Sequence, residues 1–364
     1  MKLGIVGLPN VGKSTLFTAL TKKTGLAANY PFATIDPNVG IVDVPDSRLQ
    51  KLADIVNPGR IVPATVEFVD IAGLVKGANE GEGLGNQFLS HIRETDAIAH
   101  VVRCFEDGNI THVEGSIDPV RDMDIINTEL CLADLESVDK KKTKTAKLAQ
   151  AGIKQAKADL PVLEKVYDAL QNGTPARALT LSEDDLEVLK ELNLITLKPV
   201  LYVLNMAEDD IADPLANKFV QAASAEAEKE GAKWVPISAE IEEEVSELDG
   251  EEAKAFLEDL GEEEPGLNRL IRTAYSMLGL INFFTVGPDE CRSWTVCEGT
   301  KAPKAAGKIH TDIERGFIRA EIVSYDDLMA CGTYNAAKEK GLIRLEGKEY
   351  VVKDGDIMLF RFNV

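Results

Sequence analysis

The chain has 364 residues, 45% apolar and 28% charged, which fits a folded chain of two or three domains at roughly 150 residues each. Asp plus Glu number 61 against 40 Lys plus Arg, a net charge of −21 that excludes a uniformly basic nucleic-acid coat but not a local basic patch. Five Cys without a C-x-x-C pair argue against a disulfide framework or zinc ribbon. The absence of a leader pattern, or of any apolar run near ~18 residues, predicts a soluble, cytoplasmic, multi-domain protein with no membrane partner.

Lys2–Val6 reads as a short buried strand, then a glycine-bounded loop, then a helix from Ser14 to Leu20. Apolar runs at Thr65–Val69, Ala97–Val102 and Val200–Leu204, with a weaker one at Lys233–Ile237, read as further strands of a parallel sheet. Strands alternating with helical patterns predict an α/β core. From Asp118 to about Lys198 the pattern turns helical. Ile126, Leu130, Leu135 and Val138 share one face, Pro161 marks a break, and Leu163, Val166 and Leu170 share a second face. Ser182 with Asp185 reads as a capping box. This is an inserted pair of long antiparallel helices. Residues 239–264 are strongly acidic and read as a solvated helix and loop. After Asn282 short strands are predicted at 283–286, 293–296, 317–322, 350–352 and 357–362, with one helix near 309–314, giving a small α+β domain.

Gly7-Leu8-Pro9-Asn10-Val11-Gly12-Lys13-Ser14 fits G-x-x-x-x-G-K-S between a strand and a helix. Glycines at both ends let successive N–H groups face phosphates at a helix N-terminus. Phosphates are therefore expected on Asn10, Val11, Gly12, Lys13, Ser14 and Thr15, with Lys13 as a catalytic point charge and Ser14 as a Mg²⁺ ligand. Asp70-Ile71-Ala72-Gly73 ends the next strand. Asp70 is expected to hold Mg²⁺ through water and the Gly73 N–H to meet the γ-phosphate, while Thr34 lies where a hydroxyl completes the metal shell. Asn205-Met206-Ala207-Glu208 follows the strand at 200–204 and falls where a base is read. Guanine-specific proteins use an aspartate and a lysine in this motif, and a bidentate base contact discriminates by about 1–3 kcal/mol. Glu208 is a methylene longer and Met206 replaces the lysine, so the guanine contact is compromised and adenine is admitted. Ser238 and Ala239 are expected beside the base.

These motifs, together with Tyr30–Thr34, Asp70–Ala78, Gly81–Leu89, Ala305–Asp312 and Asp354–Ile357, resemble the Obg-related translation-factor nucleotidases. Within them the chain is similar to the YchF subfamily of Obg-like ATPases, along essentially its whole length. The resemblance implies a P-loop G-domain (1–120 and 199–281) interrupted by a helical coiled-coil hairpin (121–198), and a C-terminal TGS domain of ubiquitin-like β-grasp fold (282–364). It implies slow, Mg²⁺-dependent hydrolysis of ATP in preference to GTP and association with the ribosome, its large subunit in particular. Leu74 stands where many relatives place a water-orienting glutamine, so hydrolysis is expected to be slow or to use another residue. His112, in a loop the subfamily shares, is the candidate. Asn10 resembles the asparagine that ligates K⁺ in cation-dependent relatives.

Lys140, Lys141, Lys142, Lys144, Lys147, Lys154 and Lys157 gather on the helical pair and suggest an arm for RNA phosphates. In the C-terminal domain, basic residues accompany Trp294, Phe317 and Tyr350, which either stack on bases or fill the core. Three rival functions remain at this point. They are an Obg-type GTPase in ribosome maturation, an RNA-binding module with a structural or regulatory nucleotide, and a small-molecule kinase. The last lacks an arginine-rich lid and has no use for a base-reading loop.

Overall fold

A computed structural model describes residues 1–22, 38–71 and 84–363. Thr34, Gly73 and Leu74 lie outside the described residues. In chain order the strands are β1 (Lys2–Val6), β2 (Val39–Asp43), β3 (Ile61–Val62), β4 (Thr65–Asp70), β5 (Ala97–Arg103), β6 (Val200–Asn205) and β7 (Lys233–Ile237). They continue with β8 (Leu280–Val286), β9 (Cys291–Cys297), β10 (Phe317–Ser324), β11 (Arg344–Glu346) and β12 (Asp356–Phe362). Two six-stranded sheets result, in the orders β2-β4-β1-β5-β6-β7 and β11-β10-β12-β8-β9-β3. The described residues divide into two compact units, 1–42 with 67–270 and 43–66 with 271–364.

In the first unit β1 pairs in parallel with β4 and β5, β5 with β6, and β6 with β7. Every residue of β5 and β6 is buried, as expected of central parallel strands covered on both faces. The register sets Val6 beside His100, Arg103 beside Asn205, and Asn205 beside Ile237. The loops that leave β1, β5, β6 and β7 therefore open at one edge of the sheet, where α/β folds place their ligands.

The helical insertion starts at Pro119, after the Asp118 side chain accepts from the Arg121 N–H, and runs to Gln150. It turns at Gly152, whose φ of 91° is left-handed, and returns as Lys154–Gln171. The expected break at Pro161 is not observed: the second helix runs through it. An interior proline costs a helix about 3 kcal/mol, and burial of Leu163, Val166 and Leu170 in the insertion's own core of Cys131, Val138, Leu189 and Leu194 outweighs it. The capping box at Ser182 and Asp185 is present. Asp134, fully buried on the first helix, accepts from the Ile195 and Thr196 N–H groups at 3.1 and 2.7 Å and from the Thr196 hydroxyl at 2.7 Å. This fixes the helix to the segment that enters β6.

The acidic stretch forms helices Ala239–Val245 and Gly250–Asp259. One of its carboxylates is structural. Glu242 is buried and accepts from the Gly266 and Leu267 N–H groups at 2.6 and 3.2 Å, at the start of helix Gly266–Met277.

In the second unit β8 and β9 are antiparallel, as are β10 and β12, while β12 and β8 are parallel. The expected strand at 350–352 is reduced to a single bridge between Val351 and Lys301, and the expected helix is two, Ala302–Ile309 and Thr311–Arg315, parted at His310. Phe317 is core with Phe283 and Phe360, and Trp294 and Tyr350 pack against them, so these aromatics are committed to the fold. Helix Ser47–Val56 belongs to this unit. Its Leu49, Leu52 and Ala53 pack on Phe284, Cys291 and Ile357, and Arg48 bridges Asp46 and Asp354 at 2.8 and 2.7 Å. No helix among the described residues is long and apolar enough to cross a membrane.

Candidate nucleotide site

A cavity of about 860 Å³ opens at the sheet edge where the loops converge. Of the residues expected at a nucleotide it is lined by Asn10, Gly12, Lys13, Ser14, Thr15, Asn205, Met206 and Ala239. The loop after β1 passes through left-handed backbone at Asn10 (φ 62°) and Gly12 (φ 97°) before helix Lys13–Lys22 begins. A Cβ on Gly12 would stand 2.2 Å from Asn205 Nδ2, so both the conformation and the close approach require glycine there. The turn lets the loop wrap a helix N-terminus, an arrangement suited to anionic phosphate.

Asn205 joins two walls. Its Nδ2 donates to the Val11 carbonyl at 2.8 Å and its Oδ1 accepts from the Ala239 N–H at 2.9 Å. Val11 itself is buried and does not line the cavity. Lys13 is mostly buried and donates to the Gly7 and Leu8 carbonyls at 2.9 and 2.7 Å. Burial pulls its ammonium pKa from 10.5 down to about 8, with Asp70 opposing. Burial likewise raises the Asp70 carboxyl above its ordinary range, with Lys13 opposing. The two form one electrostatic unit, because the register places Asp70 beside Ile5 at the end of β4.

Ser14 is exposed at the cavity wall and Asp70 is half-buried. A hydroxyl and a carboxylate beside a phosphate loop are hard oxygen donors, the set Mg²⁺ takes. Besides Val11 and Asp70, three more expected residues stand off the cavity wall. Glu208 is exposed and opens a 3₁₀ turn, Glu208–Asp210. Ser238 is buried with its hydroxyl unpartnered. His112 is buried, its Nε2 2.7 Å from Asp122 Oδ2 and its Nδ1 accepting from the Glu114 N–H at 3.1 Å, so both ring nitrogens are engaged. The preceding residue touches the phosphate loop: Asn10 Nδ2 donates to the Thr111 carbonyl at 3.1 Å.

Sequence reading missed one wall. Phe105, Glu106, Asp107, Gly108 and Ile110, with Glu240 and Glu243, also line the cavity. A signal was available for Phe105–Ile110, since they directly follow β5, the neighbour of β1, and must emerge beside the phosphate loop.

A family model described as 50S ribosome-binding GTPase matches residues 2–130, and YchF-GTPase_C, described as a protein of unknown function (DUF933), matches residues 280–363. The chain is 56% identical to the Bacillus subtilis protein named Ribosome-binding ATPase YchF, over 99% of each chain. It is 53% identical to the protein of that name from Escherichia coli O157:H7, over 100% of this chain and 99% of the relative. Among solved structures, the Schizosaccharomyces pombe YchF GTPase superposes with a TM-score of 0.90 at 44% identity, covering 99% of this chain and 97% of that one.

Proposed function

The chain belongs to the YchF family, and from that premise we propose that it binds and hydrolyses ATP as a nucleotide-dependent switch on ribosomes in the cytoplasm. The observation that carries this reading is the convergence of Asn10, Gly12–Thr15, Asn205–Ala207 and Ala239 on one cavity, with Asn205 tying the phosphate loop to Ala239. The B. subtilis and E. coli relatives are named for ATP hydrolysis and ribosome binding. In this reading 1–120 and 199–281 are the G-domain, less 43–66 and 271–281, which fall in the second compact unit, 121–198 is its coiled-coil hairpin and 282–364 a TGS domain.

The chain's own groups divide the work. Lys13 and the backbone N–H groups of Asn10–Thr15 bind the β- and γ-phosphates and hold the developing charge. Ser14, Asp70 and Thr34 would hold Mg²⁺, which supplies further charge neutralisation when bound. The Gly73 N–H would meet the γ-phosphate. His112 orients the attacking water once released from Asp122. Asn10, its Nδ2 given to Thr111, has Oδ1 left for K⁺, and equal hydrolysis in K⁺ and Na⁺ would exclude that role.

Adenine preference rests on Glu208, Met206, Ser238 and Ala239 as the base-side residues. It is tested by competing ATP and GTP against a fluorescent adenine nucleotide in Mg²⁺. Displacement by ATP at least about tenfold better, ~1.4 kcal/mol, supports the reading. Displacement favouring GTP supports the second reading, an Obg-type GTPase, for which the S. pombe structure's name speaks.

RNA is the proposed ribosomal contact. Lys140, Lys141 and Lys142 pair with Glu136, Glu191 and Asp139, whereas Lys144, Lys147, Lys154 and Lys157 are exposed and outside every ion pair among the described residues. Binding to ribosomal RNA that does not weaken with salt would remove this arm from the reading.

A further inference from the structure

We propose that Arg103 is a positioning residue for nucleotide binding, holding the loop 105–111 as a wall of the cavity that Met206 and Ala207 also line. The inference rests on the nucleotide reading above and adds to it a residue outside the cavity. Arg103 ends β5 and is 1% exposed, the largest fully buried side chain among the described residues. Burying a guanidinium is costly unless its donors are satisfied, and a carboxylate is the usual partner. Here no carboxylate forms an ion pair with it among the described residues.

The guanidinium is spent on backbone instead. Nε donates to the Phe105 carbonyl at 3.2 Å, one terminal nitrogen to the Ile110 carbonyl at 3.1 Å, and the other to the Asp107 carbonyl at 3.4 Å. Its central carbon sits 4.4 Å from the centroid of the Phe105 ring, a cation–π contact that sets the plane of that ring. Three carbonyls spread over six residues are gathered onto one rigid planar fork, which a lysine ammonium cannot reproduce.

The tethered residues are the ones that face the cavity: Phe105, Glu106, Asp107, Gly108 and Ile110. One residue further on, the Thr111 carbonyl holds Asn10. Without the fork, a surface loop with few apolar contacts would sample many conformations, and nucleotide would have to order it on binding. Arg103 supplies that order in advance, so its effect falls on the affinity for the nucleoside rather than on the chemical step.

The test compares full-length Arg103→Lys and Arg103→Met with the parent chain. Calorimetric titrations use ATP, GTP and inorganic tripolyphosphate in Mg²⁺, and hydrogen exchange is followed at the amides of 105–111. The expected result is at least a tenfold rise in Kd for whichever nucleotide the parent prefers. Tripolyphosphate, which has no base, should stay within twofold, kcat at saturation within threefold, and faster exchange should be confined to 105–111, with Lys milder than Met. Unchanged Kd in either variant, equal loss of tripolyphosphate, or faster exchange throughout the sheet overturns the proposal. The exchange arm needs no nucleotide. It decides the tether even if the parent fails to bind ATP, which would be a failure of the ATPase reading alone.

Discussion

Asn205 donates through Nδ2 to the carbonyl of Val11 at 2.8 Å, so the residue that ends β6 holds the turn of the phosphate loop. Its Oδ1 accepts from Ala239 at 2.9 Å, and the side chain is buried. Both bonds need an amide. Asn205→Asp retains an acceptor for Ala239 but sets an oxygen against the Val11 carbonyl. Asn205→Ala leaves both backbone groups without partners, at about 1–3 kcal/mol each. Nucleotide affinity is expected to fall at least about tenfold in both, with Asp no better than Ala. An Asp variant that binds as tightly as the parent would show that the bridge does not shape the site.

Lys13 gives the site a pH signature. In the free protein its pKa is lowered to about 8, from 10.5, by burial. A bound polyphosphate favours the ammonium and raises that pKa again, so binding above pH 8 is accompanied by proton uptake. Affinity for Mg·ATP should be level below pH 7, roughly halved near pH 8, and fall up to about tenfold per pH unit beyond it. Calorimetry in buffers of different ionisation enthalpy measures the proton count directly. Binding that is flat to pH 9.5 with no proton uptake would mean the Lys13 ammonium is not what the phosphates meet.

His112 is held by Asp122 at 2.7 Å, off the cavity wall, while its neighbour Thr111 touches Asn10. A histidine that acts only after leaving Asp122 makes separable predictions. His112→Ala should lower kcat about a hundredfold or more with ATP Kd within twofold, because proton positioning of this kind contributes roughly 10²-fold or more. Asp122→Asn weakens the tether, so kcat should hold or rise. Single-turnover hydrolysis with separately measured Kd reads both. A parental kcat in the His112 variant would leave the ring a structural partner of Asp122.

The glycine-bounded turn after β1, the strand ends and the long helices between β5 and β6 were legible because each follows from a short-range rule: glycines bounding a turn before a helix, apolar runs for buried strands, periodic apolar residues for helices. What escaped depends on chain segments meeting. Pro161 read as a break because proline opposes helix locally, yet the packing of Leu163 and Val166 decides the matter, and the turn falls at Gly152. Nothing in residues 43–66 marks them off from the first domain, and only the packing of Leu49 and Leu52 on Phe284 shows where they belong. Phe105 and Arg103 carried no motif. Their role comes from β5 lying next to β1, a fact of topology. Trp294, Phe317 and Tyr350 have the composition of a base-stacking surface, yet Phe317 is buried in the core and Trp294 and Tyr350 pack, partly buried, against it.

Asp134 offers the sharpest stability test. Its Oδ2 accepts from both the Thr196 N–H and hydroxyl, and its Oδ1 from the Ile195 N–H, with Arg93 3.5 Å away. Burial raises its carboxyl pKa, and the bonds from Thr196 and Ile195 pull it back. The donors, rather than Arg93, therefore hold the charged form. Asp134→Asn keeps one acceptor oxygen and turns an NH₂ toward donors, leaving at least one buried N–H unsatisfied, for a loss of about 1–3 kcal/mol. Removing the terminal charge from its partner, Arg93→Gln, should cost under about 1 kcal/mol, since that side chain is a quarter exposed and its contact is long. Urea unfolding followed through the unit containing 1–42 and 67–270 ranks the two. If Arg93→Gln proves the more damaging, the ion pair, and not the capping of the segment before β6, is what fixes the helical insertion to the sheet.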